Sequence, residues 1–196
     1  MNQSFIFCHG FGFDNRFWKN LTPYFQNKYQ KNLPVGIGHS LGLSKLLNSN
    51  QPFDYLIGLN SFVNFLGNAP HLRADRTKTL QALTTHFSAS PTATLKKFYR
   101  RCGFPATYDP MFPINTPALL EELKTLNHTF EIPKNTKMLI IYAQDDIVVP
   151  PEIIHDNFSI YPNVILKRME TGKHALGFLQ AEQIQKHILE FLDDCN

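Results

Sequence analysis

The sequence lacks the features that mark several large classes of protein. It has only three cysteines, Cys8, Cys102 and Cys195, and their odd number and wide spacing match no disulfide framework or zinc-site pattern. We therefore expect three free thiols and a cytoplasmic location. The N-terminus lacks the basic and long apolar regions of a secretory signal, and no apolar run is long enough to span a membrane.

An excess of charge of one sign is also missing. The formal net charge is +3 and no recognised nucleic-acid-binding motif occurs, so we expect no nucleic-acid partner. The histidines do not form an H-E-x-x-H motif or a comparable spacing, so we predict neither a bound metal nor another cofactor. The apolar content is that of an ordinary globular protein, and 196 residues suit one domain.

Short apolar runs alternate with helical patterns along most of the chain. The five predicted strands occupy 4–9, 33–39, 53–60, 137–143 and 163–170. Predicted helices occupy 15–29, 41–48 and 180–192. The first helix has five apolar residues on one side, namely Phe17, Trp18, Leu21, Tyr24 and Phe25. Pro23 would kink this helix or mark its true start. The alternation indicates an α/β fold with a parallel sheet.

A helical insertion at 62–130 interrupts this alternation. It has no convincing strand but three predicted helices. The first covers a periodic stretch at 73–87, the second begins at Ser90-Pro91 and stops at Gly103, and the third begins at Thr116-Pro117. We therefore predict a core made of 1–61 and 131–196, with the insertion between two of its strands.

A G-x-S-x-G motif occupies residues 38–42, directly after one predicted strand and before a helix. Gly38 and Gly42 suit a strand-to-helix turn that is too tight for side chains. Such a turn holds the hydroxyl of Ser40 above the end of the sheet. The position of His39 varies freely in this motif, so we assign it no role. Because the motif also occurs by chance, its meaning depends on partners elsewhere in the chain.

Two further reactive groups follow predicted strands. Asp145 and Asp146 come just after the fourth strand, and His174 comes just after the fifth. The carboxyl ends of parallel strands meet at one edge of a sheet, which is where ligands bind in open α/β sheets. The order Ser40, aspartate, His174 is that of a catalytic triad, with either aspartate as the acid.

Three segments resemble the α/β-hydrolase superfamily, and in particular its small esterases with a helical cap. Residues 7–12 are similar to the His-Gly oxyanion loop, 146–150 to the D-x-x-V-P segment around the acid, and 172–175 to the segment around the base. The resemblance implies a minimal α/β-hydrolase fold, with a mainly parallel sheet of about five strands. The helical insertion would be its cap, or lid.

The same resemblance implies roles for individual residues. Ser40 would be the nucleophile and His174 the base, and the resemblance favours Asp146, the second aspartate of its pair, as the acid. The backbone N–H groups of Phe11 and Leu41 would bind the oxyanion of the intermediate. The chain is therefore predicted to be a serine carboxylester hydrolase.

The N-terminal part departs from the family's pattern. Only one helix is predicted between His9 and Ser40, where the usual fold has a helix, a strand and another helix. The first, second and fourth strands of the usual eight are therefore expected to be absent, which leaves five contiguous strands. The strand at 4–9 would then be an exposed edge, so we expect a homodimer or a covering terminal segment.

One helix of the insertion has a strongly basic face. Leu95, Phe98, Tyr99 and Cys102 share one side of the helix that follows Ser90. The basic residues on the other side are Lys96, Lys97, Arg100 and Arg101, with Arg73 and Arg76 added from the preceding helix. This is either an ordinary solvated face or a docking surface for an acidic partner.

A narrower resemblance is to the pimeloyl-acyl-carrier-protein methyl ester esterases of biotin synthesis. It rests on the aromatic-rich segment after residues 9–12, the length of the insertion and the last third of the chain. It implies acyl carrier protein as the acidic partner and a carrier-linked methyl ester as the substrate. The alternatives are a general short-chain carboxylesterase or thioesterase, and an inactive hydrolase fold that serves as a binding protein.

Overall fold

A five-stranded parallel sheet is the centre of the computed structural model, which describes residues 5–25, 34–109 and 114–195. The strands are β1 (Phe5–Cys8), β2 (Val35–His39), β3 (Tyr55–Leu59), β4 (Lys137–Ala143) and β5 (Val164–Met169). They lie in the order β1-β2-β3-β4-β5, and each neighbouring pair is parallel. The predicted α/β class and the contiguous five-stranded sheet are confirmed.

Helices connect and cover the strands. The α-helices of the described residues are α1 (Leu41–Leu47), α2 (Pro70–Ala89), α3 (Pro91–Cys102), α4 (Thr116–Thr125), α5 (Pro151–Phe158), α6 (Leu176–Leu179) and α7 (Ala181–Asp194). Two short 3₁₀ helices, Asn15–Trp18 and Thr22–Phe25, follow β1. The sequence patterns gave no indication of α5 and α6.

The sheet brings several polar residues to one edge. β2 and most of β4 are buried, as expected for central parallel strands with covered faces. β2 ends directly before Ser40, β3 directly before Asn60, and β4 three residues before Asp146. Because the strands are parallel, these residues lie at the same carboxyl edge of the sheet.

The helix predicted at 15–29 is replaced, as far as residue 25, by the two 3₁₀ helices. A continuous helix is excluded because Pro23 lacks an N–H, and its ring would clash with the carbonyl four residues earlier. Tyr24, expected on the buried side, is consequently 36% exposed, whereas Phe25 is buried. Residues 26–29 of this prediction lie outside the described residues.

The helical insertion contains α2, α3 and α4, in agreement with the three helix signals. The side chain of Ser90 makes no capping hydrogen bond, but Pro91 is the first residue of α3 and Gly103 ends it with a φ of +101°. Asn115, one residue before the predicted start of α4, is its cap, because its side chain accepts a hydrogen bond from the N–H of Ala118 at 3.1 Å.

β1 pairs with β2 and with no other described strand. Its side chains are half-buried, and the Phe7 ring packs 5.2 Å from the ring of Trp18 and 6.1 Å from that of Phe25. The 3₁₀ helices therefore cover part of this strand. The homodimer or covering segment expected at this edge stays a prediction.

Candidate active site

Ser40 occupies a strained turn between β2 and α1. Its φ of +52° and ψ of −123° are rare for a residue with a side chain. A Cβ at Gly42 would lie 1.8 Å from the backbone oxygen of Cys8, and one at Gly38 would lie 2.3 Å from the nitrogen of Leu43. Both positions exclude side chains, as a tight strand-to-helix turn requires.

A buried hydrogen-bonded pair joins the loops after β4 and β5. The Nδ1 of His174 donates to Oδ2 of Asp146 at 2.8 Å, and both side chains are inaccessible to solvent. The other carboxylate oxygen accepts from the backbone N–H groups of Val148 at 2.7 Å and Val149 at 3.1 Å. These bonds fix the carboxylate against the ring, so a proton is held on Nδ1, and in the neutral imidazole Nε2 is the nitrogen with the lone pair.

Asp145 has a different contact. Its Oδ1 accepts a hydrogen bond from the backbone N–H of Lys173 at 2.9 Å. Lys173 has a φ of +51°, so this bond supports the strained backbone directly before His174. Of the two aspartates that the residue order left open, Asp146 is the one that contacts the imidazole.

The second ring nitrogen of His174 is open. Its Nε2 is buried and has no hydrogen-bond partner among the described residues, Ser40 included. A catalytic serine and histidine are often farther apart than a hydrogen bond before substrate binds. Ser40 directly follows His39, whose ring centroid lies 4.7 Å from that of His174, so the serine adjoins a residue that packs on the imidazole.

Two backbone N–H groups lie near the serine. The loop after β1 packs so closely on the turn that a Cβ at Gly10 would lie 2.9 Å from the Cβ of Ser40. Phe11 follows in that loop, and Leu41 is the first residue of α1, where an N–H has no intrahelical acceptor. Within the described part of the chain, neither N–H donates to another group. Both can therefore donate to a ligand.

His39, to which the motif gave no role, is fully buried beside this cluster. Its Nε2 donates to the backbone oxygen of His174 at 2.9 Å, and its ring stacks on Phe17 with centroids 4.2 Å apart. Burial, and secondarily the nearby His174, lowers the pKa of His39 well below its usual value. The neutral ring, with its proton on Nε2, holds the backbone of the loop that carries His174.

Asn60 supports the same loop from the end of β3. Its Nδ2 donates to the backbone oxygens of Lys173 at 2.6 Å and His174 at 3.1 Å, while its Oδ1 accepts from the N–H of Ala143 at 2.8 Å. Asn60 is fully buried and has a φ of +46°. The sequence did contain a signal for this role, since Asn60 is a polar residue at the end of a predicted strand and therefore at the carboxyl edge of the sheet.

The helix α3 packs directly on these groups. The ring of Phe98 lies 5.6 Å from that of Phe11 and 6.2 Å from that of His174. The hydroxyl of Tyr99 donates to the backbone oxygen of Gly12. The helical insertion therefore contacts both the loop after β1 and the imidazole.

The basic residues of α3 are exposed, and the apolar residues on its other side are buried or half-buried. The exposed set, here called the basic face, is Lys96, Lys97, Arg100 and Arg101. No described acidic side chain forms an ion pair with any of the four. Arg73 of α2 is exposed as well.

Arg76 does not belong to this surface, contrary to expectation. It is only 8% exposed, because its side of α2 faces α3 and the loop after Asp146. Its Nη2 donates to the backbone oxygen of Val148 at 2.8 Å, and its guanidinium lies 4.1 Å from the centre of the Phe65 ring.

A cavity of about 540 Å³ lies between α2 and α3, and Arg76 lines it. Phe65, Leu83 and Phe98 form apolar parts of its wall. Val148, which also lines it, donates its N–H to the Asp146 carboxylate. Because Phe98 packs against the His174 ring as well, this α2–α3 cavity borders the candidate site.

The described ranges contain no group of three or more His, Cys, Asp or Glu side chains that could hold a metal ion. No helix in them is long and apolar enough to cross a bilayer. Cys8, Cys102 and Cys195 are free thiols, and burial raises the pKa of the first two.

Several solved structures are similar to this chain over nearly its whole length. An esterase (EaEST) from Exiguobacterium antarcticum has a TM-score of 0.76 at 13% identity, over 98% of this chain and 92% of that one. A hydrolase from Oleispira antarctica has a TM-score of 0.69 at 13% identity, over 98% and 92%. A bromoperoxidase from Bacillus anthracis has a TM-score of 0.68 at 14% identity, also over 98% and 92%. The chain has the α/β-hydrolase fold.

At such low identities the likeness extends to the fold and no further. No known protein family and no curated protein matches the sequence. Within the α/β-hydrolase fold, the contiguous order β1-β2-β3-β4-β5 is the one expected when the first, second and fourth strands of the usual sheet are absent.

Proposed function

We propose that this chain is a serine carboxylester hydrolase. The observation that carries the proposal is the buried 2.8 Å hydrogen bond between Nδ1 of His174 and Asp146, which leaves Nε2 of His174 without a partner at the edge of the sheet where the strained Ser40 lies. A nucleophile, a base and an acid that orients the base, all at one edge of the sheet, are the groups that acyl transfer needs. The esterase and the hydrolase among the similar structures support the same class.

The first half of the reaction forms an acyl-enzyme. The Ser40 oxygen attacks the ester carbonyl while Nε2 of His174 takes its proton, and Asp146 stabilises the resulting imidazolium. The N–H groups of Phe11 and Leu41 bind the oxyanion, and one such donor is typically worth about 10²–10³ in rate. The C–O bond to the alcohol then breaks, and Nε2 returns the proton to the leaving oxygen.

The second half regenerates the serine. Nε2 of His174 accepts a proton from a water that attacks the acyl carbonyl, and the same N–H groups bind the second oxyanion. Collapse breaks the bond to the Ser40 oxygen, which recovers the proton from Nε2. The products are the carboxylic acid and the free enzyme.

The proposed substrate is the methyl ester of a pimeloyl group carried on acyl carrier protein. Its support is the basic face of α3, whose four cations are exposed and have no described acidic partner. An acidic carrier could dock there and deliver its acyl chain past the helical insertion, the proposed cap, to Ser40. Phe98 and Tyr99 connect this helix to the site on its inner side.

An active-site titration tests the reaction class. A fluorophosphonate probe is expected to label one site per chain, on the peptide that contains Ser40, and to leave the Ser40→Ala variant unlabelled. Absence of labelling in the folded wild-type protein would favour the alternative of an inactive binding protein.

A complementation assay tests the substrate. Expression of the chain in a biotin-requiring strain that lacks its own carrier-ester esterase is expected to restore growth without biotin. Labelling of Ser40 without rescue would instead identify a general short-chain carboxylesterase or thioesterase.

A further inference from the structure

The α2–α3 cavity contains a buried cation without an anionic partner. We infer that this cavity binds an anionic group of the substrate, a carboxylate or a phosphate, on the guanidinium of Arg76. The inference rests on the proposed function, because the anionic group belongs to the ester that Ser40 attacks.

The hydrogen bonds of Arg76 leave most of its donors unused. A guanidinium has five N–H donors, and the only described bond from Arg76 goes from Nη2 to the carbonyl of Val148. Its Nε is buried without a partner, and no described carboxylate lies within ion-pair distance. Contact with the Phe65 ring offsets part of the cost of burial, but it satisfies no N–H.

Arg76 is nevertheless charged at neutral pH. Burial lowers its pKa to about 10, and the nearby negative charge of Asp146 opposes that shift. A buried charge is normally paired because its transfer from water is costly. An anion that entered the cavity would supply this pair, and the planar guanidinium suits a carboxylate or a phosphate.

The rest of the lining favours an anion on an apolar chain. Lys97, Arg101 and His86 also line the cavity, and no aspartate or glutamate among the described residues does. Its remaining wall is largely apolar, and its volume of about 540 Å³ lies in the usual range for small-molecule sites.

The cavity is also placed to hold part of the reacting molecule. Phe98 belongs both to its wall and to the packing around the rings of Phe11 and His174. An ester at Ser40 could therefore extend past this ring and place an anionic group on Arg76. In the proposed carrier-linked ester, the group would be the phosphodiester of the carrier arm. In a general carboxylester, it would be a carboxylate at the far end of the acyl chain.

A purely structural role for Arg76 makes a different prediction. Its bond to Val148 supports the loop that holds Asp146, so a mere brace would affect every substrate equally. The experiments therefore compare ligands that differ only in the anionic group.

The first experiment measures binding without catalysis. Calorimetric titrations of the Ser40→Ala variant compare monomethyl adipate with neutral dimethyl adipate, and 4′-phosphopantetheine with neutral pantetheine. We expect one anionic ligand to bind roughly 10- to 100-fold more tightly than its neutral partner, the ratio typical of a hydrogen-bonded charge. A preference within the adipate pair would show that the site binds a carboxylate of the acyl chain. A preference within the pantetheine pair would show that it binds the phosphate of the carrier arm. Equal affinities within both pairs would overturn the inference, whatever phosphonate labelling shows about Ser40.

The second experiment assigns the effect to Arg76. The affinity ratio is measured again in Arg76→Met and Arg76→Lys, each combined with Ser40→Ala, with Lys78→Met as the control. Lys78 is an exposed cation on the same helix that does not line the cavity. We expect the ratio to fall to about one in Arg76→Met, to recover partly in Arg76→Lys, and to stay unchanged in Lys78→Met. If the affinity ratio stays at its original value in both Arg76 variants, the assignment to Arg76 is wrong.

Arg76→Lys also decides the question by itself if Arg76→Met does not fold. A folded Arg76→Lys protein with the full affinity ratio would show that the guanidinium is not needed.

Discussion

The backbone oxygen of His174 accepts a 2.9 Å hydrogen bond from Nε2 of His39, the residue directly before Ser40. The bond joins the last residue of β2, next to the proposed nucleophile, to the loop that carries the proposed base. His39 touches neither substrate nor proton in this account, so it is a positioning residue. Asn60 donates to the same carbonyl at 3.1 Å.

Replacement of His39 should lower kcat more than it changes KM. His39→Leu removes the donor and is expected to reduce kcat roughly 10- to 100-fold, because a misplaced base raises the activation barrier. Each tenfold loss corresponds to about 1.4 kcal/mol. His39→Gln keeps an N–H donor and should recover part of the loss. Steady-state kinetics on a small soluble ester provide both constants. An equal effect of the two substitutions would show that lost packing, rather than the hydrogen bond, is responsible.

The buried His39 should also make stability depend on pH. Its pKa in the native state lies well below the usual 6.5, so the unfolded state binds a proton that the native state does not. The free energy of unfolding therefore falls as the pH drops below 6.5, by up to about 1.4 kcal/mol per pH unit. Above pH 6.5, His39 causes no such loss. Urea unfolding at pH 7.5, 6 and 5 should show a shallower decline for His39→Gln than for wild type. Parallel declines would contradict the account.

The two aspartates should differ in their effect on catalysis. Asp146→Asn is expected to reduce kcat by about 10⁴, because an amide does not hold the imidazole in the required tautomer or stabilise its charged form. Asp145→Asn should have a much smaller effect, because an amide oxygen can still accept from the N–H of Lys173. Kinetics of the two variants at one pH check the prediction, and a reversed order would make Asp145 the acid.

The basic face can be tested without disturbing the α2–α3 cavity. Lys97 and Arg101 line that cavity, whereas Lys96 and Arg100 do not. The double variant Lys96→Glu, Arg100→Glu should therefore reduce kcat/KM for the carrier-linked ester but not for p-nitrophenyl acetate. The loss should shrink as salt rises, because screening already weakens the wild-type attraction. Equal losses on both substrates would indicate damage to α3, and no loss would leave the face without a partner.

The sequence predicted best what depends on local spacing. The five strands, α1 and the tight turn at Ser40 follow from short apolar runs and from the two glycines of a five-residue motif. The buried and exposed sides of α3 follow from a helical period in the same way. These features need no knowledge of distant contacts.

Contacts between distant residues were beyond that reasoning. His39 and its acceptor are 135 positions apart, so no local pattern marks the bond. Arg76 looked like part of an exposed surface because its burial depends on how α2 packs against α3 and the loop after Asp146. Residue order alone does not distinguish the adjacent aspartates. The resemblance around residues 146–150 favoured Asp146, and the side-chain direction shows that Asp146 is the one that contacts His174.

The central claim is that Ser40 attacks an ester, and kcat of Ser40→Ala tests it most directly. Ser159→Ala, at an exposed position away from the site, is the matched control, and circular dichroism verifies the fold of both variants. We expect Ser40→Ala to lower kcat for p-nitrophenyl acetate by roughly 10⁴–10⁶, with Ser159→Ala close to wild type. A folded Ser40→Ala protein that kept more than about a tenth of the wild-type kcat would contradict the claim, since removal of an attacking serine costs far more than tenfold.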